Sequence, residues 1–193
     1  MDKIYKIKSI SIWIFIIPFI AVNACLLITT HFHALIPDAQ LNNRIFGTFP
    51  YFDGSVSISR TARYFPTYLI FKPAMFLTSF FLIKYWIYNK QVIQNFDKNH
   101  KHINKIIFFG IGSAVALTIH SIFLGIKFDN DLYKLFRRVV MLSFIVFEVV
   151  AQAYLVATLY SFKNKLNKFI NRKYLKAKLI LVSTLLIVAI ISI

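Results

Sequence analysis

Four ionisable side chains, Lys72, Lys84, His120 and Glu148, stand inside otherwise apolar stretches, where an uncompensated charge is costly and a polar group points to a site. Glu148 lies in segment 139–161, with Gln152 one turn further on the same helical face. It falls ten residues past Arg138, about 15 Å along a helix and close to the middle of a bilayer. His120 lies in segment 106–126, roughly 10 Å inside the end marked by Lys127. Gly112, Ala116 and His120 share one face at spacings of four, and small residues there let a neighbouring helix approach. Lys72 and Lys84 bracket segment 68–88, about 18 Å apart along a helix, and each can snorkel outward, so Lys72 also reads as an interfacial anchor. Ordered by depth, Lys72, His120 and Glu148 form a polar trail from one membrane surface towards the midplane. Such a trail can hold a lipid head group. It can equally be a buried network that locks helices together, or a His120/Glu148 acid–base pair acting on a head group.

Other chemistry is poorly supplied. His31-Phe32-His33 offers two ligands with no third at a defined spacing, so no metal site is expected. Asp129-Asn130-Asp131 lacks the glycine and distal glutamate of a calcium loop. No phosphate-cradling glycine loop occurs, and no cofactor is implied. Cys25 is the single cysteine, which excludes an intramolecular disulfide. The net charge of +16 comes from lysines clustered just outside apolar blocks. That is the pattern of anchoring to anionic head groups on the cytoplasmic side, not of nucleic-acid binding.

The elements that must position these residues are membrane helices. The chain is 58% hydrophobic and 16% charged, where a soluble domain carries about 25% charge. The apolar residues gather into five blocks, about 10–30, 68–88, 106–126, 139–161 and 175–193. Blocks of about 20 residues match the hydrocarbon thickness, and the ten-residue alternation of a barrel is absent. The expected fold is all-α, a polytopic bundle of about five transmembrane helices forming one membrane domain over 1–193. The fifth block is short, and Lys176 and Lys178 must snorkel for it to span.

Lys and Arg favour one side of this arrangement by roughly two to one, which places the N-terminus in the cytoplasm. The lysine-, isoleucine- and asparagine-rich composition suggests a bacterial inner membrane. Val22-Asn23-Ala24-Cys25 after an apolar run has the look of a lipoprotein signal, but the run continues beyond it and a retained helix is expected. Segment 163–178 is basic with Leu166, Phe169, Ile170 and Tyr174 on one face, as in a helix lying in the inner interface. An odd number of spans leaves room for a partner helix or a second copy of the chain.

Between the first two blocks lies the longest connection, 31–67. It is rich in aromatics and proline (Phe49, Pro50, Tyr51, Phe52, Tyr64, Phe65, Pro66) and carries Asp53, Arg60 and Arg63. This composition fits a structured outer cap at the head-group level. Asp53-Gly54 marks a turn, and 55–59 alternates hydroxyl and branched residues as a short extended segment would.

The stretch Pro50-Tyr51-Phe52-Asp53-Gly54, leading into Phe71-Lys72-Pro73 and Tyr85-Trp86-Ile87-Tyr88, resembles the Frag/DRAM/Sfk family, which includes the N-terminal domain of CWH-type cell-wall proteins. The third and fourth blocks, joined by a short turn, and the tail with Tyr160 and Ser161 continue the resemblance. The family usually has six spans, against five here, and the serine it carries before the aspartate is missing. The resemblance implies a non-enzymatic role in lipid remodelling, lipid distribution or regulation. It carries over no catalytic residues, and only Asp53 as a family feature. The candidate lipid site is therefore Asp53, Arg60, Arg63, Lys72, His120, Glu148 and Gln152.

Overall fold

A computed structural model describes residues 2–37, 51, 58–126, 130–162 and 171–191. Among them are five long α-helices, one short α-helix and a 3-10 turn at His33–Leu35. We number them α1 (Asp2–Thr30), α2 (Ile58–Thr61), α3 (Thr67–Phe96), α4 (Ile103–Phe123), α5 (Asp131–Ser161) and α6 (Arg172–Ile191). No strand occurs among the described residues. The protein is a helical membrane bundle, and α1, α3, α4 and α5 are each long and apolar enough to cross a bilayer.

The helices reach further than their apolar blocks. Helix α3 continues past the block through Lys90 to Phe96, and α5 begins at Asp131, eight residues before the apolar block at Val139. Asn130 explains that start, because its side chain accepts the Leu132 amide at 3.0 Å and caps the helix. Asp131 pairs with Lys134 at 2.9 Å. Asp131 thus belongs to a helix start, and Asp129 lies outside the described residues. Helix α6 starts at Arg172, giving 20 residues, about 30 Å of helix where the apolar block alone offered less. Lys173, Lys176 and Lys178 belong to it and not to a separate surface helix, while 163–170 lie outside the described residues. Helix α4 stops at Phe123, three residues short of the apolar block's end, because Gly125 turns the chain with a φ of 87°.

Consecutive long helices pack against one another in order, α1 on α3, α3 on α4, α4 on α5 and α5 on α6. Their ends define two poles. At the loop pole, Cys25 Sγ of α1 meets the Thr67 carbonyl of α3 at 3.4 Å. Phe71, Met75, Ala114, Leu117 and Leu124 form the core there. At the opposite pole, Trp86, Ile93, Ile103, Ile106, Ala151 and Leu155 pack together from three helices. Lipid tails are as apolar as leucine, so helix association depends on close packing. Gly110 provides it, lying directly against the buried Trp86 ring. Outward-facing Ile12, Phe15, Phe19, Leu69, Phe108, Ile180 and Val188 suit contact with acyl chains.

Most polar residues in the helices are silent. Thr29, Thr30, Thr78, Ser79, Asn89, Thr118 and Ser121 each donate to the carbonyl four residues earlier in their own helix. Their burial needs no functional explanation.

Candidate functional site

The residues that could act separate into two groups at different depths. The deeper one is centred on Glu148. Ser113 Oγ of α4 lies 2.7 Å from Glu148 Oε2, and Gln152 Nε2 donates to Glu148 Oε1 at 2.9 Å. Both partners come from the bundle interior, Ser113 being fully buried. The carboxyl group thus stitches α4 to α5. Gln152 Oε1 is buried with no hydrogen-bond partner. His120, on the same helix as Ser113, makes no hydrogen bond to Glu148. The trail expected from the sequence is broken between His120 and Glu148, because His120 sits seven residues along α4 from Ser113, the partner of Glu148, roughly 10 Å of helix. An acid–base pair of His120 and Glu148 is not assembled.

The second group lies at the loop pole. The charges of Arg137, in the second turn of α5, and of Arg63, just past α2, both act on His120. Arg63 and Arg137 also act on each other. Burial, with Arg137 adding to it, holds the Arg63 guanidinium below its ordinary value, and Tyr64 and Tyr133 oppose that shift. Arg137 sits over the Tyr133 ring, 5.9 Å from its centroid. Tyr133 is itself fixed by its hydroxyl, which donates to the Phe123 carbonyl at 2.7 Å. The Arg137 Nε and His120 Nδ1 atoms are buried without a hydrogen-bond partner among the described residues.

Local structure explains how Arg63 comes to this place. The one-turn α2 carries an exposed Arg60, whose carbonyl accepts the Arg63 amide at 3.4 Å. Thr61 and Ala62 are buried and anchor the turn. The Arg63 carbonyl lies 3.0 Å from where a side chain on Gly125 would begin. The extended segment expected over 55–59 is not seen at its described end, since Ile58 and Ser59 are helical. Local i to i+3 bonding wins there because the chain must turn back to enter α3. Asp53 lies outside the described residues. Tyr51, from the same stretch, is hydrogen-bonded through its hydroxyl to Asn23 of α1.

Lys72 stays apart from both groups. Its Nζ donates to the Ile122 carbonyl at 3.3 Å and lies 6.0 Å from the Tyr68 ring centroid. It therefore caps the C-terminal turn of α4, whose carbonyls carry partial negative charge.

At the opposite pole, His100 and His102 rings stand 5.4 Å apart, against Phe162 and Tyr154 respectively. Burial lowers the His102 pKa, and Lys101, His100 and Lys105 lower it further. His31 is bonded to Thr30 at 2.7 Å. No group of three or more metal-ligating side chains occurs among the described residues.

Sequence reasoning overlooked Arg137 and Ser113. Ser113 carries a signal in retrospect, being seven residues from His120 and so on the same α4 stripe. Arg137 had none, because it reads as a loop charge until α5 is known to begin at Asp131.

The family model described as Frag1/DRAM/Sfk1/Cwh43P N-terminal domain matches residues 6–193, nearly the whole chain. The chain belongs to this family. No curated protein and no solved structure matches it.

Proposed function

On the premise of that membership, we propose that this membrane protein binds or organises membrane lipid without catalysing a reaction on it. The loop pole is the binding end. One observation carries the reading: at the loop end of the bundle Arg137 Nε, over the Tyr133 ring, and His120 Nδ1 are buried with no hydrogen-bond partner among the described residues. Polar groups buried at membrane level normally find partners, so unmet donors at a helix-bundle rim suit a ligand from the bilayer. Glu148, satisfied by Ser113 and Gln152, is the structural lock. The lysine bias supports a cytoplasmic N-terminus, which turns the loop pole outwards, in a bacterial inner membrane.

The test is lipid retention. Protein purified in mild detergent and examined by native mass spectrometry should carry bound lipid that survives detergent exchange. A chain stripped of all lipid while still folded would remove this reading.

A further inference from the structure

We propose that the Glu148 carboxyl group is a proton-binding site in the middle of the bundle, its exchangeable proton held on Oε2 and shared with Ser113 Oγ. The inference is independent of lipid binding and begins with the hydrogens available to three contacts. Ser113 Oγ lies 2.7 Å from Glu148 Oε2 and 2.8 Å from the Gly110 carbonyl oxygen. Gln152 Nε2 donates to the other carboxyl oxygen at 2.9 Å. If the carboxyl group is ionised, the single serine proton must serve two acceptors. A proton on Oε2 removes that shortage. The acid then donates to Ser113 Oγ, Ser113 donates to Gly110, and both separations are ordinary for O–H···O bonds.

The surroundings point the same way. Glu148 stands near the midpoint of α5, which runs Asp131–Ser161, and its neighbour Phe147 lies against Gly112 of α4. A charge at that depth needs a counter-charge. No cationic side chain pairs with Glu148 among the described residues. On α4, His120 lies about 10 Å along the helix from Ser113. Lys105, near the other end of α4, sits over the Tyr154 ring. On α6, Lys178 is engaged with the Tyr85 hydroxyl at 3.4 Å, and Arg172, Lys173 and Lys176 lie nearer the helix start. On α5 itself, Arg137 is eleven residues away, about 16 Å. A proton is the cation that this arrangement of oxygens can hold without an ion pair.

Full-length protein in phosphatidylglycerol nanodiscs should be examined by infrared spectroscopy at neutral pH. The parent should show the carbonyl stretch of a protonated carboxyl group, moving to lower frequency in heavy water because the proton exchanges. Glu148→Gln should remove that band. Ser113→Ala should move it to higher frequency, since the acid loses its acceptor. No such band in the parent, or one that persists in Glu148→Gln, would overturn the proposal. A band that Ser113→Ala leaves in place would overturn the sharing with Ser113. A band lost in sodium chloride and restored on its removal would assign the site to a metal cation and overturn the proton. If Glu148→Gln does not fold, labelling of the parent by dicyclohexylcarbodiimide decides in its place. The protonated acid adds across a C=N bond of this apolar reagent, its proton passing to nitrogen, and rearrangement leaves an N-acylurea on Glu148. Peptide mapping should find that adduct, and an unlabelled Glu148 would overturn the proposal.

Discussion

Ser113 Oγ lies 2.7 Å from Glu148 Oε2 and 2.8 Å from the Gly110 carbonyl, so one hydroxyl faces two acceptors. A serine has a single proton to donate. The contact that joins α4 to α5 is therefore shared with a backbone bond inside α4.

This sharing predicts an ordering of variants at residue 148. In Glu148→Gln the side-chain amide can donate to Ser113, which frees the serine proton for Gly110. Thermal stability in detergent should equal or exceed that of the parent. Glu148→Ala leaves Ser113 and Gln152 without this partner and should lose about 1–3 kcal/mol. The two variants melting together would refute this account of the contact.

A second prediction concerns the close approach of α3 and α4. A Cβ at Gly110 would fall 2.3 Å from Trp86 Cδ2, and the Trp86 side chain is fully buried with nowhere to move. Gly110→Ala should destabilise the bundle by about 1–3 kcal/mol, the usual cost of overpacking. Equilibrium unfolding in mixed micelles measures it. Trp86→Leu combined with Gly110→Ala should recover part of the loss, because the smaller side chain makes room. No loss in the single variant would mean that the helices can separate freely.

These contacts mark the boundary of what was legible in the chain. Five apolar blocks announced five helices, because hydrocarbon thickness sets a length that composition alone reveals. The helix ends were hidden, since Lys90 and Lys173 lie within helices that run on past their apolar blocks. Arg137 was hidden for the same reason. Glu148 was visible as an ionisable residue at depth. Its partner was not, because pairing with Ser113 depends on the register between α4 and α5, and no residue type states that register.

Gly125 links backbone geometry to the loop-pole cluster. Its φ of 87° disfavours any side chain, and a Cβ there would stand 3.0 Å from the Arg63 carbonyl. Gly125→Ala should cost about 1–2 kcal/mol in stability. It should also push Arg63 away from Arg137 and so reduce lipid retention, whereas Gly110→Ala should affect stability alone. Lipid occupancy per folded protein separates the two. Unchanged occupancy in Gly125→Ala would show that Arg63 keeps its place without this contact.

The last prediction is a pH dependence at the opposite pole. His102 has its pKa lowered from the ordinary imidazole value of 6.5, first by burial and then by Lys101, His100 and Lys105. Its ring packs on Tyr154, over which Lys105 also sits at 5.5 Å. A histidine whose folded pKa is depressed binds its proton more readily when unfolded. Protonation therefore favours the unfolded chain. No penalty exists well above pH 6.5, and it grows as the pH falls through that value. Below the folded pKa it stops growing. Melting followed from about pH 8 to about pH 5 should show the parent losing stability relative to His102→Gln, with the gap opening below the ordinary histidine range. The variant is the necessary comparison, because other groups titrate over the same interval and cancel in the difference. Parallel curves for the two proteins would mean that His102 is equally free to take its proton in both states.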